Sequence, residues 1–137
     1  MIIDHIGYLC KDINKSITSF ETLGYKKISE IISDNLPFEG KNPRNVNLCF
    51  LKNEDTVIEL VAPIEQEDSV VSKQLTRQGE GPYHICYQTT DIEMEVANLK
   101  KNGFIIVQPL APAVAFSERR VAFLFRSSMG LIELVEV

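Results

Sequence analysis

The tetrapeptide Ile58-Glu59-Leu60-Val61 recurs near the end of the chain as Ile132-Glu133-Leu134-Val135. The chain has two histidines, His5 and His84, and they lie 79 residues apart. The same spacing separates two further pairs, Asp12 from Asp91 and Gly24 from Gly103. The common spacing of the histidines, acids and glycines, together with the recurring tetrapeptide, indicates an internal duplication, in which each half contributes one histidine and one glutamate.

The repeat predicts a metal centre from four residues, His5, Glu59, His84 and Glu133. Imidazole nitrogen and carboxylate oxygen together suit a borderline divalent metal ion. A single histidine in a strand is more often a hydrogen-bonded core residue, and a strand-terminal glutamate is usually solvated. This structural interpretation is weaker for the present chain, because both histidines and both glutamates occupy matching positions of the repeat. We therefore expect four ligands on a pseudo-twofold axis.

The composition is ordinary for a globular protein of 137 residues, with 45% hydrophobic and 24% charged residues. A formal net charge of −5 without a clustered Lys/Arg stripe argues against a nucleic-acid partner. No apolar run approaches the roughly 20 residues of a membrane span, and the first residues do not read as a secretory signal. We expect a cytoplasmic protein that binds a small molecule and contacts no membrane.

The three cysteines, Cys10, Cys49 and Cys86, lie in apolar runs that resemble strands. Their odd number and the lack of a C-x-x-C spacing argue against a disulfide framework and against a thiolate zinc site. We expect buried, reduced thiols.

Each half reads as a strand, a helix and three strands. In the first half a strand over residues 2 to 10 is followed by a helix that begins after Asp12 and ends at Gly24. A short strand near Tyr25 to Ile31 and strands at Val46 to Lys52 and Thr56 to Val61 complete it. The second half begins with a strand at Tyr83 to Thr89, followed by a helix that is capped by Asp91 and ends at Gly103. Three further strands follow, at Phe104 to Gln108, Val121 to Arg126 and Leu131 to Val135.

These elements predict one α+β domain over residues 1–137, with a first βαβββ module at 1–62, a linker with a short helix at 63–82, and a second module at 83–137. Strand alternation places His5 and Glu59 on the face away from the apolar neighbours that would pack on a helix. Two such sheets would form a cupped, incompletely closed mixed β-barrel, with the helices outside and the polar residues inside.

Four sequence motifs resemble motifs of the vicinal oxygen chelate superfamily, which contains glyoxalases, bleomycin-resistance proteins and dioxygenases. They are Asp4-His5-Ile6-Gly7-Tyr8, Ile58 to Pro63, Gly79 to Tyr87, and Gly130 to Val137. The resemblance covers nearly the whole chain and implies paired βαβββ modules. It also implies metal ligands at His5, Glu59, His84 and Glu133. Glu133 is the first choice for a proton-carrying base, and Glu59 is its rival.

The resemblance implies a metal-dependent lyase of the glyoxalase I type, which isomerises the hemithioacetal of methylglyoxal and glutathione to lactoylglutathione. A divalent ion would polarise the carbonyl and stabilise the enediolate formed on proton loss. Methylmalonyl-CoA epimerase is the alternative, since it needs nearly the same site. Two departures from epimerases favour the glyoxalase: Tyr83 replaces a second histidine, and Ala113 to Arg119 replaces a loop containing glycine and histidine.

Retention of four ligand types argues against a metal-poor antibiotic-binding protein, and a Glu59 ligand argues against the vacant metal position of dioxygenases. Family resemblance favours nickel or cobalt over zinc, glutathione as co-substrate, and a homodimer. Two loops could bind substrate, Ser33 to Asn45 and Gln108 to Arg120. Arginine can bind a carboxylate and phenylalanine can cover an apolar group. For Arg44, Arg119 and Arg120 a solvated loop charge is an equal alternative. The candidates are Phe38, Lys41, Arg44, Phe116, Ser117, Arg119 and Arg120.

Overall fold

The computed structural model describes residues 1–35, 44–64 and 69–137. Across these ranges it contains nine strands and three α-helices, so the predicted α+β class is confirmed. In chain order they are β1 (Ile3–Leu9), α1 (Ile13–Glu21), β2 (Lys26–Lys27), β3 (Ile32–Asp34), β4 (Val46–Asn53), β5 (Thr56–Pro63), α2 (Ser72–Gln78), β6 (Gly81–Thr89), α3 (Ile92–Lys101), β7 (Ile105–Pro112), β8 (Arg120–Arg126) and β9 (Gly130–Glu136).

The chain divides into two compact units. One unit combines Met1–Ile6 with Tyr83–Val137, and we call it the C-terminal unit; the other is Gly7–Pro82, the N-terminal unit. Strand β1 supplies its first residues to the C-terminal unit and Gly7 to Leu9 to the N-terminal unit. Neither unit has a strand path that closes on itself. No helix in the described ranges is long and apolar enough to cross a membrane.

In the N-terminal unit the strand order is β2-β4-β5-β1, with β3 also paired to β4. Helix α1 begins where predicted, because the Asp12 carboxylate accepts hydrogen bonds from the backbone N–H groups of Asn14 and Lys15. Gly24 follows the helix with φ +97°, a conformation that favours glycine. The helix contacts β4 and β5. Its buried residues Ile13 and Ile17 therefore face the sheet.

The strand predicted near Tyr25 to Ile31 is wrong in extent. The structure has a two-residue strand, β2, and a separate strand, β3, whose residues Ser33 and Asp34 were expected to lie in a loop. Both pair antiparallel with β4, at its two ends. Two short edge segments on one long strand carry too few residues for alternation to be visible in sequence.

In the C-terminal unit the strand order is β1-β6-β9-β8-β7. Asp91 caps α3 by accepting from the Met94 backbone N–H, and Gly103 follows the helix with φ +89°. Helix α3 contacts β7, β8 and β9. The residues packed between helix and sheet are Ile92, Val96, Ala122, Leu124, Ile132 and Leu134.

The face opposite that core carries the polar residues of the second half. Phe123 on β8 is paired with Glu133 on β9, and Glu133 is paired with Cys86 on the parallel strand β6. Paired residues share a sheet face, and His84 shares it with Cys86 by the two-residue period of a strand. Within this unit Ile132 and Leu134 therefore face helix α3, while Glu133 faces away from it.

Strand β7 is longer than the predicted Phe104 to Gln108 and is irregular. Its register against β8 shifts between Ile106 and Gln108, and again between Gln108 and Ala111. Each shift places one extra residue on β7, as in a β-bulge, and a bulge changes the face on which the following side chain lies.

Candidate metal centre

Three of the four predicted ligands meet inside the C-terminal unit. His5 lies on β1, His84 on β6 and Glu133 on β9, and their exposed fractions are 1%, 3% and 3%. Nε2 of His5 and Nε2 of His84 are 3.3 Å apart. Oε2 of Glu133 lies 3.3 Å from the first nitrogen and 3.1 Å from the second. Three potential donor atoms therefore form a small, buried triangle.

The size of this triangle fits one metal ion. With metal–ligand bonds of about 2.1 Å, neighbouring ligand atoms in octahedral or tetrahedral sites lie roughly 3.0 to 3.4 Å apart. The three observed separations of 3.1 to 3.3 Å fall in that range. Two imidazoles and a carboxylate also suit zinc, nickel and cobalt. The donor set and its spacing are thus compatible with a divalent transition metal.

The imidazole of His5 is oriented from behind by Asp4. Nδ1 of His5 donates to Oδ2 of Asp4 over 2.8 Å, which leaves the lone pair of Nε2 directed at Glu133 and His84. Nε2 of Gln88 donates to the other carboxylate oxygen, Oδ1, also over 2.8 Å. The hydrogen bond to His5 holds the pKa of Asp4 below its ordinary value against the opposing effect of burial. A carboxylate behind a metal-binding histidine is a common supporting arrangement.

Glu133 is held as a carboxylate by its neighbours. Burial would raise its pKa, but the two imidazoles beside it, His5 and His84, lower the pKa well below the ordinary glutamate value. An ionised carboxylate between two imidazoles supplies negative charge to a cation.

Aromatic rings surround the histidines. The Phe116 ring stacks on the imidazole of His5 at 5.6 Å, and the rings of Tyr83 and Phe123 meet His84 edge-on at 4.4 Å and 5.3 Å. Phe116 was expected to cover an apolar part of a substrate, whereas the structure places its ring on the predicted ligand His5. These rings limit water around the donor atoms and restrict the imidazoles to one orientation.

Glu59, the remaining predicted ligand, lies on β5 of the N-terminal unit. It is paired with Phe50 on β4 and is 5% exposed. Its role as fourth ligand stays a prediction from the repeat.

The arginines of the two predicted binding loops differ in their surroundings. Arg120 donates to both carboxylate oxygens of Glu136, over 2.8 and 2.7 Å, and to Glu93 over 2.7 Å. Arg44 donates to Asp34 over 2.9 Å. These ion pairs favour a structural role for both residues. Phe38 and Lys41 lie outside the described residues.

Arg119 lies beside the aromatic ring that stacks on His5. Its guanidinium carbon is 5.6 Å from the centre of the Phe116 ring, and its charge contributes to the lowered pKa of Asp4. Ser117 precedes it and has a left-handed backbone, with φ 54°. Of the three candidate arginines, Arg119 is the exposed one, and it remains the better candidate for an anionic ligand.

Cys10, Cys49 and Cys86 are buried free thiols, as predicted. Cys86, Asp4 and His5 also have donor atoms close together. Burial raises the pKa of the Cys86 thiol far above its ordinary value. A protonated thiol is a poor metal ligand, so Cys86 is assigned to the packing around His5.

Sequence reasoning missed Asp4 as a partner of His5. Neighbouring strand residues point to opposite faces, so a contact between Asp4 and His5 is not expected from alternation. An acid directly before the histidine was the available signal, and it has no counterpart in the second half, where Tyr83 precedes His84.

Comparison with known proteins identifies the family. The model of the Glyoxalase/Bleomycin resistance protein/Dioxygenase superfamily matches residues 4–123. The chain belongs to this superfamily. The superfamily membership that the sequence motifs predicted is therefore confirmed. The histidine–glutamate triangle lies in a fold whose members include metal enzymes.

Individual relatives are similar to this chain over nearly its full length. The mitochondrial methylmalonyl-CoA epimerase of Dictyostelium discoideum is 24% identical over 136 residues, which span 98% of this chain and 77% of that protein. A hypothetical protein from Bacillus halodurans has a similar structure, with a TM-score of 0.80, 26% identity and coverage of 99% and 94% of the two chains. A methylmalonyl-CoA epimerase variant from Streptomyces coelicolor, in complex with 2-nitronate-propionyl-CoA, gives a TM-score of 0.77, 27% identity and the same coverage.

Proposed function

We propose that this chain is a metal-dependent epimerase of methylmalonyl-CoA or of a closely similar 2-substituted malonyl thioester. The observation that carries the proposal is the buried triangle of His5, His84 and Glu133, with donor separations of 3.1 to 3.3 Å. The choice of epimerase over the glyoxalase expected from sequence is supported by relatives at 24% and 27% identity that are named methylmalonyl-CoA epimerases.

The reaction requires a carbon acid to lose and regain one proton. The α-carbon of methylmalonyl-CoA lies between a thioester carbonyl and a carboxylate, and removing its proton leaves an enolate. A bound divalent ion would supply a Lewis acid for that negative charge. His5, His84 and Glu133 would hold the ion, with Asp4 fixing the His5 ring. Phe116, Phe123 and Tyr83 would keep bulk water away from the anion.

Epimerisation moves a proton from one face of a planar carbon to the other. Two acid–base groups suit this task, one to accept the proton and one to donate a proton to the opposite face. Glu59 and Glu133 occupy matching positions of the repeat and are both buried. We propose that both are ligands, that Glu133 also carries a proton on one face, and that Glu59 does so on the other.

The proposal revises the expected cofactors. One divalent ion per chain is retained, whereas glutathione has no part in an epimerase reaction. The preference for nickel or cobalt over zinc, the homodimer and the cytoplasmic location remain predictions. A relative named as mitochondrial gives no support for the cytoplasm in particular.

A paired assay tests the proposal. Apoprotein is reconstituted separately with nickel, cobalt and zinc, and each form is offered methylmalonyl-CoA in deuterated water or methylglyoxal with glutathione. We expect metal-dependent loss of the α-proton signal of methylmalonyl-CoA and no lactoylglutathione. Lactoylglutathione formation without α-proton exchange would instead establish the glyoxalase.

A further inference from the structure

The side chain of Gln108 on β7 contains a buried polar atom that neither the fold nor the proposed metal centre uses. Its Nε2 is inaccessible to solvent and has no hydrogen-bond partner within residues 1–35, 44–64 and 69–137. A buried amide N–H without an acceptor destabilises a protein, and such atoms are rare in native folds. A buried donor that none of the described residues satisfies is available to a ligand.

The two bulges of β7 determine where Gln108 lies. Ile106 is paired with Leu124 and packs with the core beneath α3. Two residues later, Gln108 is paired with Phe123, which lies on the opposite face of β8. In a regular strand Ile106 and Gln108 would share a face; the register shift between them moves Gln108 to the other one. Bulges that redirect a side chain in this way often lie next to active sites.

The face that Gln108 joins is the face of the donor triangle. Gln108 is paired with Phe123, and Phe123 is paired with Glu133. Adjacent strands are about 4.8 Å apart, so the backbones of Gln108 and Glu133 are separated by roughly 10 Å. The intervening Phe123 ring touches His84 edge-on at 5.3 Å. Gln108 therefore lies on the same sheet face as the triangle, two strands away from Glu133.

We propose that Gln108 is a substrate-binding residue that donates a hydrogen bond from Nε2 to a carboxylate or carbonyl oxygen of the ligand held at the triangle. The inference rests on the proposed function for the identity of the substrate, a malonyl thioester with several acceptor oxygens. Gln108 would fix the orientation of the acyl group and discriminate against ligands that lack an oxygen at this place.

Because the Nε2 donor of Gln108 is unsatisfied, substitutions can distinguish a ligand-binding role of this residue from a structural role. Gln108→Met keeps the length of the side chain and removes the unsatisfied N–H. The ligand-free protein should then have an equal or higher unfolding midpoint, while ligand binding weakens. Gln108→Glu keeps the shape but replaces the donor by an acceptor, and should weaken binding of an anion further. Gln78→Met is the matched control, since Gln78 is an exposed residue of α2.

The experiment uses metal-loaded protein and two probes, methylmalonyl-CoA for turnover and malonate for calorimetric binding. For Gln108→Met we expect unchanged metal content, a kcat/KM about tenfold or more below that of the parent protein, and a similar loss of malonate affinity. Gln78→Met should match the parent protein in metal content, kcat/KM and malonate affinity.

Three further outcomes are decisive. If the parent protein lacks epimerase activity but binds malonate in a metal-dependent way that Gln108→Met weakens, the proposed function fails and the role of Gln108 stands. If Gln108→Met keeps both kcat/KM and malonate affinity, or lowers the unfolding midpoint together with metal content, the inference is overturned. Failure of the parent protein to bind either probe would overturn it as well.

Discussion

Oδ2 of Asp4 lies 2.8 Å from Nδ1 of His5, and this contact determines which nitrogen of the imidazole faces Glu133. A neutral His5 ring that donates its Nδ1 proton to Asp4 keeps the lone pair of Nε2 available to a cation. Gln88 holds the second oxygen of Asp4 and so prevents its carboxylate from turning away. The orientation of one proposed ligand therefore depends on two residues outside the ligand set.

Replacing Asp4 with asparagine should weaken metal binding about 10- to 100-fold, the usual effect of removing a supporting carboxylate. The amide is a weaker acceptor for the His5 N–H and can present its own N–H₂ to the ring. The measurement is competition with a chromophoric chelator. Asp55→Asn, at an exposed turn, is the control and should bind metal like the parent protein. Equal affinity of all three proteins would contradict the supporting role of Asp4.

Glu133→Gln and Glu59→Gln should each lower epimerase turnover about 10²- to 10⁴-fold, because each removes one proton carrier. In deuterated water the two variants should also differ from each other. Each should still exchange the α-proton of one epimer, and the two should prefer opposite epimers. Glu30→Gln, an exposed acid, serves as the control. Loss of exchange from the same epimer in both variants would disprove the division of labour between the two glutamates.

The turn after Phe116 stores backbone strain beside His5. Ser117 and Glu118 are consecutive non-glycine residues with φ 54° and 68°. Glu118→Gly should relieve about 1 kcal/mol and raise the unfolding midpoint by about 2 to 5 °C. Because the Phe116 ring that covers His5 is then held less firmly, turnover should fall. Glu54→Gly relieves similar strain, φ 56°, in the hairpin between β4 and β5, and should raise the midpoint without lowering turnover. A midpoint lowered by Glu118→Gly would show that the turn is unstrained.

The three cysteines should react slowly in the native protein. Burial raises the pKa of Cys10 to about 11 and also raises the pKa values of Cys49 and Cys86, so little reactive thiolate exists near neutral pH. A chromogenic aromatic disulfide should label all three thiols in urea and label native protein far more slowly. Prompt labelling of native protein at pH 7.5 would contradict the burial of these strands.

Much of the fold was predictable, because the same capping residues and glycines occur in both halves of the repeat. Asp12 and Asp91 cap helices as expected, and Gly24 and Gly103 follow them with positive φ. The repeat positions of His5, His84 and Glu133 also predicted three residues that lie together. These features depend on local capping chemistry and on strand alternation, and both can be recognised in the amino-acid sequence.

The remainder depended on register, which a single sequence does not specify. The shift that turns Gln108 to the face of Glu133 arises from pairing with β8. Pro109 on β7 favours an edge strand or a bulge, but it does not specify the register. The contact between Asp4 and His5 likewise joins neighbours that alternation assigns to opposite faces. The preference for a glyoxalase relied on Tyr83 and on the Ala113 to Arg119 loop, neither of which determines the substrate of the metal centre.

Titration of the apoprotein with cobalt(II), followed by absorption and calorimetry, tests the central claim that His5, His84 and Glu133 bind one divalent ion. We predict saturation at one cobalt per chain, visible d–d bands, and loss of this binding in His84→Ala with an unchanged circular dichroism spectrum. Absence of cobalt binding by the parent protein, or equal binding by His84→Ala and Glu133→Ala, would contradict the account.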